Sequence, residues 1–477
     1  MSRHGFPGIH FYDQDFVDIY DRTWALISDC WITPPPSAGF GSNRFFYYPD
    51  SNPVLEQDAQ IFASFFLVYS NRLYSCSNGL DALYAKQEPN GAIRAKYDIN
   101  TGNVIADKDN PECLGLPLFA WAEYNMFHKT ANKKRVKDVM PILRKYYSWV
   151  EENYKKENGL YAPPLTATGL FNLPRGNCVY PVDFNAVMAI NSLYMAALGD
   201  ILNDKEISFI YKRNYFSLKN RINSMMWNDE DSFYYDLDGN ESQIKRKYIG
   251  GFWPLLGEML NEERANRLIQ HLSNHATFGS ENPFPTLSMD DPDYDKRGMG
   301  CRGSVIPSLT YMIIKGLEKY DHWEIARDSA IRLLYFILDS MHTNDNSAGK
   351  VLVWEAYQPQ NEGKAIYPES DSWPRPQYFH YVGLATIAIM IENIIGLSVS
   401  LPRKTVDWNI PNLEAMGIDN LSLKRNMVTI LSNKSGRGWE IHMESEKLYY
   451  FTINIIGKKK KTLPIPSGKC SMLIDKI

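Results

Sequence analysis

The sequence predicts a mainly α fold: a toroid of six helical hairpins, (α/α)6, over residues 1–400, with the N-terminal segment packed on it, then a small β-sandwich-like domain over residues 401–477. Three observations predict it. Apolar residues recur with helical period in about twelve segments, long polar or Pro/Gly-rich stretches separate alternate helices, and after about residue 400 the pattern turns to short alternating strands. An apolar fraction of 44% with 22% charged residues is that of a globular chain, and 477 residues can bury a large core without disulfides or metal.

The helical segments run Phe16–Ser28, Asp58–Tyr69, Pro117–Thr130, Val136–Tyr154, Phe184–Leu202 and Ser208–Met226. They continue through Tyr248–Leu260, Glu262–His275, Ser304–Tyr320, His322–Met341 and Phe379–Leu397, with one more near Gly79–Tyr84. Between them lie residues 33–52, 87–111, 159–180, 278–303 and 352–377, long loops whose regular placement points to one functional face. The apolar run Tyr381–Leu401 approaches membrane length, but Glu392 and Asn393 inside it indicate a buried helix. Beyond residue 418, NMVTILSN, WEIHMES, LYYFTINII and CSMLIDKI read as strands, and GKKKKTLP reads as a solvated turn that blunts a sheet edge.

A net charge of −4, from 51 basic and 55 acidic residues, offers no field for nucleic acid or an anionic membrane, and neither is expected as a partner. The six cysteines are scattered without a C-x-x-C pair, so reduced, buried thiols are expected, with no cofactor. The start, MSRHGFPGIHFYDQDF, lacks an apolar signal region, and a cytoplasmic location is the expectation. Nothing in the sequence sets the oligomeric state. Aromatic residues make up 13% of the chain, and their rings serve equally to fill inter-helix space or to stack on sugars.

Hydrolysis of a glycosidic bond needs two carboxyl groups, so the carboxylates that lie among rings and glycines in the long loops are the candidates. Glu355, in VLVWEAYQPQNEGKAIYPESDSW, stands between Trp354 and Tyr357, whose rings would partly desolvate it as a general base requires, although the local sequence alone fits a partly solvated loop glutamate better. Asp58 opens a helix, where it serves either as a cap or as a sugar ligand. Arg175 and Asp183 can pair, an arrangement more often structural than catalytic. The aspartates of PFPTLSMDDPDYDKRGMGCRGSVIP have the composition of a calcium loop without its ligand spacing, and no metal is expected.

Together these segments resemble the trehalase-like and mannosylglycerate-hydrolase-like clan of inverting glycoside hydrolases, in order from residue 10 to about residue 470. The resemblance is carried by LEQDAQIFASFF for WDT-x-F, LYAKQEPNGAIRAKYDINTG for Q-x-P-[DN]-G-x-I, LPLFAWAEYNMF, GLFNLPRG with YPVDFNA, GGFWPLL, FPTLSMDDPDY with CRGSVIP, VWEAYQP and MIENIIGL. It implies an (α/α)6 fold and an α-glycosidase-like, exo-acting enzyme for a small glycoside or oligosaccharide, with Glu355 as general base. It further implies sugar contacts from Asp58, Gln87, Trp121, Arg175, Trp253, Arg302, Trp354, Tyr357 and Trp373, the arginines either bonding hydroxyls or holding the catalytic carboxylates. Gln57 replaces the tryptophan of WDT-x-F, and Cys301 and Ile306 replace those flanking the arginine of W-R-G-x-x-W.

The main departure lies in Gly169-Leu170-Phe171-Asn172-Leu173-Pro174-Arg175, where Phe171 occupies the place the resemblance gives to the general acid. Phenylalanine transfers no proton, so the acid is unassigned, with Asp58, Glu56 and Asp183 as candidates. The alternative is a carbohydrate-binding or scaffold protein derived from such an enzyme. Lyase or epimerase chemistry would instead call on His380, beside Tyr378 and Tyr381.

Overall fold

The computed structural model describes residues 5–70, 73–342, 352–370, 372–424, 426–436, 438–455, 460–465 and 467–474. Twelve α-helices are present among them: α1 Gln14–Ile27, α2 Gln57–Leu67, α3 Asn78–Ala85, α4 Phe119–Thr130, α5 Lys133–Tyr154, α6 Val182–Leu202, α7 Lys205–Arg221, α8 Trp253–Leu256, α9 Glu262–Ser273, α10 Pro307–Glu318, α11 Trp323–His342 and α12 Phe379–Gly383. The last continues as a wider, π-type helix, Leu384–Ile394, whose residues are all buried. The apolar run Tyr381–Leu401 is therefore buried helix as far as Ile394, and its end, Leu397–Ser400, is a strand with alternate residues buried. Among the described residues one helix, Val182–Leu202, is long and apolar enough to cross a bilayer, and most of it is buried inside the protein.

Packing follows an alternating rule. The even-numbered helices form a closed circuit of neighbours, α2 to α4 to α6 to α8 to α10 to α12 and back to α2. Odd-numbered helices lie against this circuit, α5 and α7 on α6, α11 on α10 and α1 on α12. Capping differs between the sets as well, although α3 has no side-chain cap. The outer helices α1, α5, α7 and α9 start on Asp13, Asn132, Asp204 and Asn261, whose side chains accept first-turn N–H groups. None of the six even-numbered helices has a side-chain cap. Their first-turn donors are left to other partners.

The segment Tyr248–Leu260, expected as one helix, is instead a 3-10 turn, Ile249–Phe252, joined to the four-residue α8. Gly250 and Gly251 weaken helix propagation, and Pro254 tolerates only a first-turn position. Close approach fixes Gly250: a Cβ there would lie 2.5 Å from the Asp183 side chain. The DDPDYD run carries its own counter-ions. Arg246 bonds Asp291 and Asp293 at 2.6 Å each, Lys247 pairs with Asp290 at 2.7 Å and Arg297 with Asp295 at 2.7 Å. Among the described residues no cluster of His, Cys, Asp or Glu is arranged to hold a metal. Cys30, Cys113 and Cys301 are buried, Cys76 and Cys178 are partly so, and all five thiols are free.

Near the C-terminus the chain forms two sheets. One orders Leu397–Ser400, Thr405–Ile410, Tyr449–Ile455 and Lys460–Ile465, its central pair parallel. The other orders Gly8–His10, Met416–Leu423, Asn426–Ser435, Gly438–Ser445 and Gly468–Ile474, all antiparallel. The edge strand Gly8–His10 comes from the far end of the chain, and His10 Nε2 reaches Asp419 Oδ2 at 2.6 Å. Of the expected lysine turn, residues 457–464, positions 457–459 lie outside the described residues, and from Lys460 the segment is instead strand, paired antiparallel with Tyr449–Ile455 at the edge of the first sheet.

Candidate active site

A cleft of about 450 Å³ opens beside the starts of α2, α10 and α12 and the loops that precede α4 and α6. Its walls include Glu56–Asp58 at the start of α2, Leu114–Leu116 before α4, Thr166–Phe171 before α6, Ile306 and Ser308 at the start of α10, and Glu355, Trp373, Arg375 and Tyr381 around the start of α12.

Each carboxylate is placed by local backbone pairing. Strand Val54–Glu56 runs antiparallel to Lys96–Asp98, so Glu56 stands opposite Lys96, and the Lys96 ammonium lies 3.6 Å from Glu56 Oε1. Two residues on, at the first turn of α2, Asp58 accepts a short hydrogen bond from the Tyr381 hydroxyl. Glu355 lies on an extended segment whose N–H donates to the Arg375 carbonyl at 3.0 Å.

Arg375 ties the site together. Its Nε and Nη2 donate to the two Glu355 oxygens at 2.8 and 2.7 Å, a planar fork on a planar carboxylate, while Nη1 donates to Glu56 Oε2 at 2.7 Å. The Arg375 backbone N–H adds a bond to Glu355 Oε2 at 3.2 Å. Its guanidinium rests 3.8 Å from the Tyr378 ring centroid, and the Tyr378 hydroxyl donates to Glu56 Oε2 at 2.8 Å.

These contacts drive neighbouring carboxyls in opposite directions. Burial pushes Glu56 up, but the Arg375 and Lys96 charges outweigh it and hold it down at about 2. Burial, reinforced by the negative charge of Glu56, raises the Asp58 carboxyl above the ordinary aspartate range, and the Tyr381 bond and Lys96 oppose it without cancelling it. Separated affinities within one pair are what acid–base chemistry uses.

Of the residues expected at the site, Asp58, Glu355 and Trp373 line the cleft, as do Glu56 and Phe171. The others are corrected. Arg175 is sealed beneath the cleft wall, its guanidinium 2.8 Å from Asp183 Oδ2 and 3.0 Å from Asp236 Oδ2, with Nη1 on Thr168 Oγ1 at 3.1 Å. Its donors are committed to protein. Asp183, 1% exposed, pairs with Arg175 and does not line the cleft. Arg302 Nε donates to the Asn172 carbonyl at 3.1 Å and buttresses a loop. Gln87 staples a turn through the Gly91 and Ile142 carbonyls. Trp121 packs on Phe65 and Tyr311, and Trp253 is buried in α8; both belong to the core. The rings expected around Glu355 face elsewhere: the buried Tyr357 hydroxyl accepts the Trp354 N–H at 2.9 Å, and Lys364 covers the Trp354 ring at 4.7 Å. His380 does not line the cleft; buried against Phe46 and Tyr378, its imidazole is pushed down to about 3 by burial.

Arg375, Lys96, Tyr378 and Tyr381 complete the site and are not among the residues the sequence singles out as its ligands. Arg375 stands twenty positions past Glu355, and its only local signal is an arginine between two prolines in WPRP.

A family model described as "Mannosylglycerate hydrolase MGH1-like glycoside hydrolase domain" matches residues 77–380. The chain belongs to the MGH1-like glycoside hydrolase family. A second model, "Trehalase, C-terminal domain", matches residues 396–477 of this MGH1-like chain. An uncharacterized protein of Borreliella burgdorferi is 49% identical over 479 residues, covering 100% of both chains. Among solved structures, the GH63 mannosylglycerate hydrolase of Thermus thermophilus, in complex with glucose, matches with a TM-score of 0.59 at 16% identity, covering 77% of this chain and 99% of that one. A GH78 family rhamnosidase of a Bacillus species matches with a TM-score of 0.68 at 12% identity, covering 94% of this chain and 42% of that one. At these identities the two structures share the fold with the MGH1-like chain.

Proposed function

We propose that this chain is an exo-acting, inverting glycosidase for a small α-glycoside or oligosaccharide, with Glu355 as general base and Asp58 as general acid. The observation that carries the assignment is the opposed pull on Asp58 and Glu56 in a cleft that also holds Glu355. Asp58, held up by burial, keeps a proton to give to the glycosidic oxygen as the C1–O bond breaks. Glu355 takes a proton from the water whose oxygen adds to C1. Arg375 leaves Glu355 room for that water: Oε1 accepts one bond and keeps a lone pair. The resemblance gives the acid's place to Phe171, and the proposal moves that role to Asp58.

The same reading takes the closed circuit of even-numbered helices and its outer partners as an (α/α)6 toroid, with the division between toroid and β domain at about residue 400. The cleft's position at one end of the circuit supports it.

The test is a screen of aryl α-glycosides and α-linked disaccharides with proton NMR of the first-formed anomer. Turnover with inverted product is expected, and Asp58→Asn and Glu355→Gln each lower kcat by about 10²–10⁴. Turnover indifferent to Glu355→Gln would sink the assignment. A second reading, sugar binding without hydrolysis, draws support from the Arg375 fork that occupies both Glu355 oxygens. It requires calorimetric sugar binding that survives Glu355→Gln, with no product from the unaltered protein.

A further inference from the structure

Phe171, Tyr367 and Trp373 meet on the cleft wall, and the proposed chemistry uses none of them. Their centroids are 4.8, 5.4 and 6.2 Å apart, and interplanar angles of 64°, 78° and 86° make every contact edge to face. Rings that cluster this way normally bury one another, yet Phe171 keeps 41% of its surface exposed. Its loop is fixed: Asn172 Oδ1 accepts the Cys301 N–H at 2.6 Å, its amide donates to the Met299 carbonyl at 3.1 Å, and Arg302 bonds its carbonyl. The exposed ring is thus held open to the cleft by a braced backbone.

The trio is also near the carboxylates. Trp373 precedes Arg375 by two residues, so their Cα atoms are within about 7 Å, and Arg375 Nη1 donates to Glu56, two residues before the proposed acid Asp58, on whose side the leaving group departs. The polar groups flanking Trp373 in sequence include the uncharged hydroxyls of Ser370 and Ser372, which lie 3.0 Å apart. Aromatic faces carry partial negative charge, so these three rings attract C–H or aryl edges rather than an anion.

We propose that Phe171, Tyr367 and Trp373 form the subsite for the leaving group, and that it selects an uncharged group with a flat, apolar ring face. A second pyranose, through its C–H face, and an aryl group both supply that chemistry. The proposal rests on the glycosidase reading for its placement as a leaving-group site, although the ring preference itself is a matter of binding.

The test measures both. Calorimetry on the full-length chain carrying Glu355→Gln compares methyl α-D-mannoside and α-D-glucoside with their 4-nitrophenyl counterparts, an α-1,2-linked mannobiose, maltose and mannosylglycerate. Product formation by the unaltered protein is followed in parallel. Ring-bearing probes should bind about tenfold tighter than methyl glycosides, about what one aromatic contact supplies, with mannosylglycerate gaining nothing. Phe171→Ala should bring that ratio below about threefold, with Phe171→Leu between; Tyr367→Ala, with circular dichroism on each variant, guards against misfolding. A gain confined to nitrophenyl probes assigns an aryl leaving group, and a gain confined to disaccharides assigns a sugar. A ring preference without product keeps the subsite and removes the glycosidase reading. Product with no ring preference, a preference untouched in folded Phe171→Ala and Tyr367→Ala, or no binding of any probe overturns the proposal.

Discussion

Replacing Arg375 by methionine tests the centre of the site. The substitution keeps the stem's bulk and removes a guanidinium that bonds two carboxylates, both nearly inaccessible to solvent. Breaking a buried ion pair from one side costs about 3–5 kcal/mol, because the remaining charge is left without a partner. With an unfolding entropy of about 2.1 cal/mol/K per residue, 477 residues give about 1 kcal/mol/K, so Tm at pH 7 should fall by about 3–5 °C. The pH dependence is more specific. A charge about 4 Å away at an effective dielectric near 20 is worth about 4 kcal/mol, so losing Arg375 should raise Glu56 by up to ~3 pH units. In the unaltered protein Glu56 titrates at about 2, below its ordinary 4.5. Its contribution to stability is therefore complete above about pH 4.5 and disappears as pH falls through about 2. The melting gap between the two proteins should be widest near neutrality and close progressively below pH 4.5. Differential scanning fluorimetry from pH 7 to pH 3 measures it, with Arg375→Lys, which keeps the charge without the fork, falling between. A gap that stays constant across that range refutes the assignment of Arg375 as the counter-charge to Glu56.

Three further outcomes follow from the same contacts. Asp58→Asn should lower kcat most for glycosides with poor leaving groups and abolish the alkaline limb of the rate profile, because Asp58 acts protonated and its activity is lost as pH rises through its raised pKa; an unchanged alkaline limb assigns the acid elsewhere. Tyr381→Phe removes a bond that favours the Asp58 anion, so that limb should move up by about 1–2 pH units, and a downward move contradicts the geometry. Away from the cleft, Glu392 lies 2.8 Å from Lys315 and 3.7 Å from Lys129. Glu392→Gln should cost about 3–5 kcal/mol, read as a lower urea midpoint with unchanged slope, and a loss under about 1 kcal/mol would mean the lysines find water.

Helix order was legible because each helix buries a stripe, and a stripe leaves a period in the sequence. The failure at Tyr248–Leu260 marks where glycine and proline override that period. The site was half legible. Asp58 and Glu355 were read as carboxylates at a helix start and in a ring-rich loop, but of the groups that tune them Glu56 and Lys96 come from three-residue strands, too short to show alternation, Arg375 from a loop and Tyr381 from α12. Glu56 faces Lys96 only because residues 54–56 pair with 96–98. The Arg175 and Asp183 pair was visible, but Asp236, the third member that makes it structural, lies on a three-residue strand with no signal of its own.

The strand Gly8–His10, clasped to Met416–Leu423, has a consequence for how the molecule is made. It leaves the ribosome long before its partner, and His10 waits through 409 positions of chain for Asp419. The helical circuit can assemble in the interval, while the five-stranded sheet completes only once its last strand, Gly468–Ile474, has emerged. Nascent chains stalled before residue 416 should thus carry a protease-sensitive arm around Gly8–His10, and chains released after residue 474 a protected one.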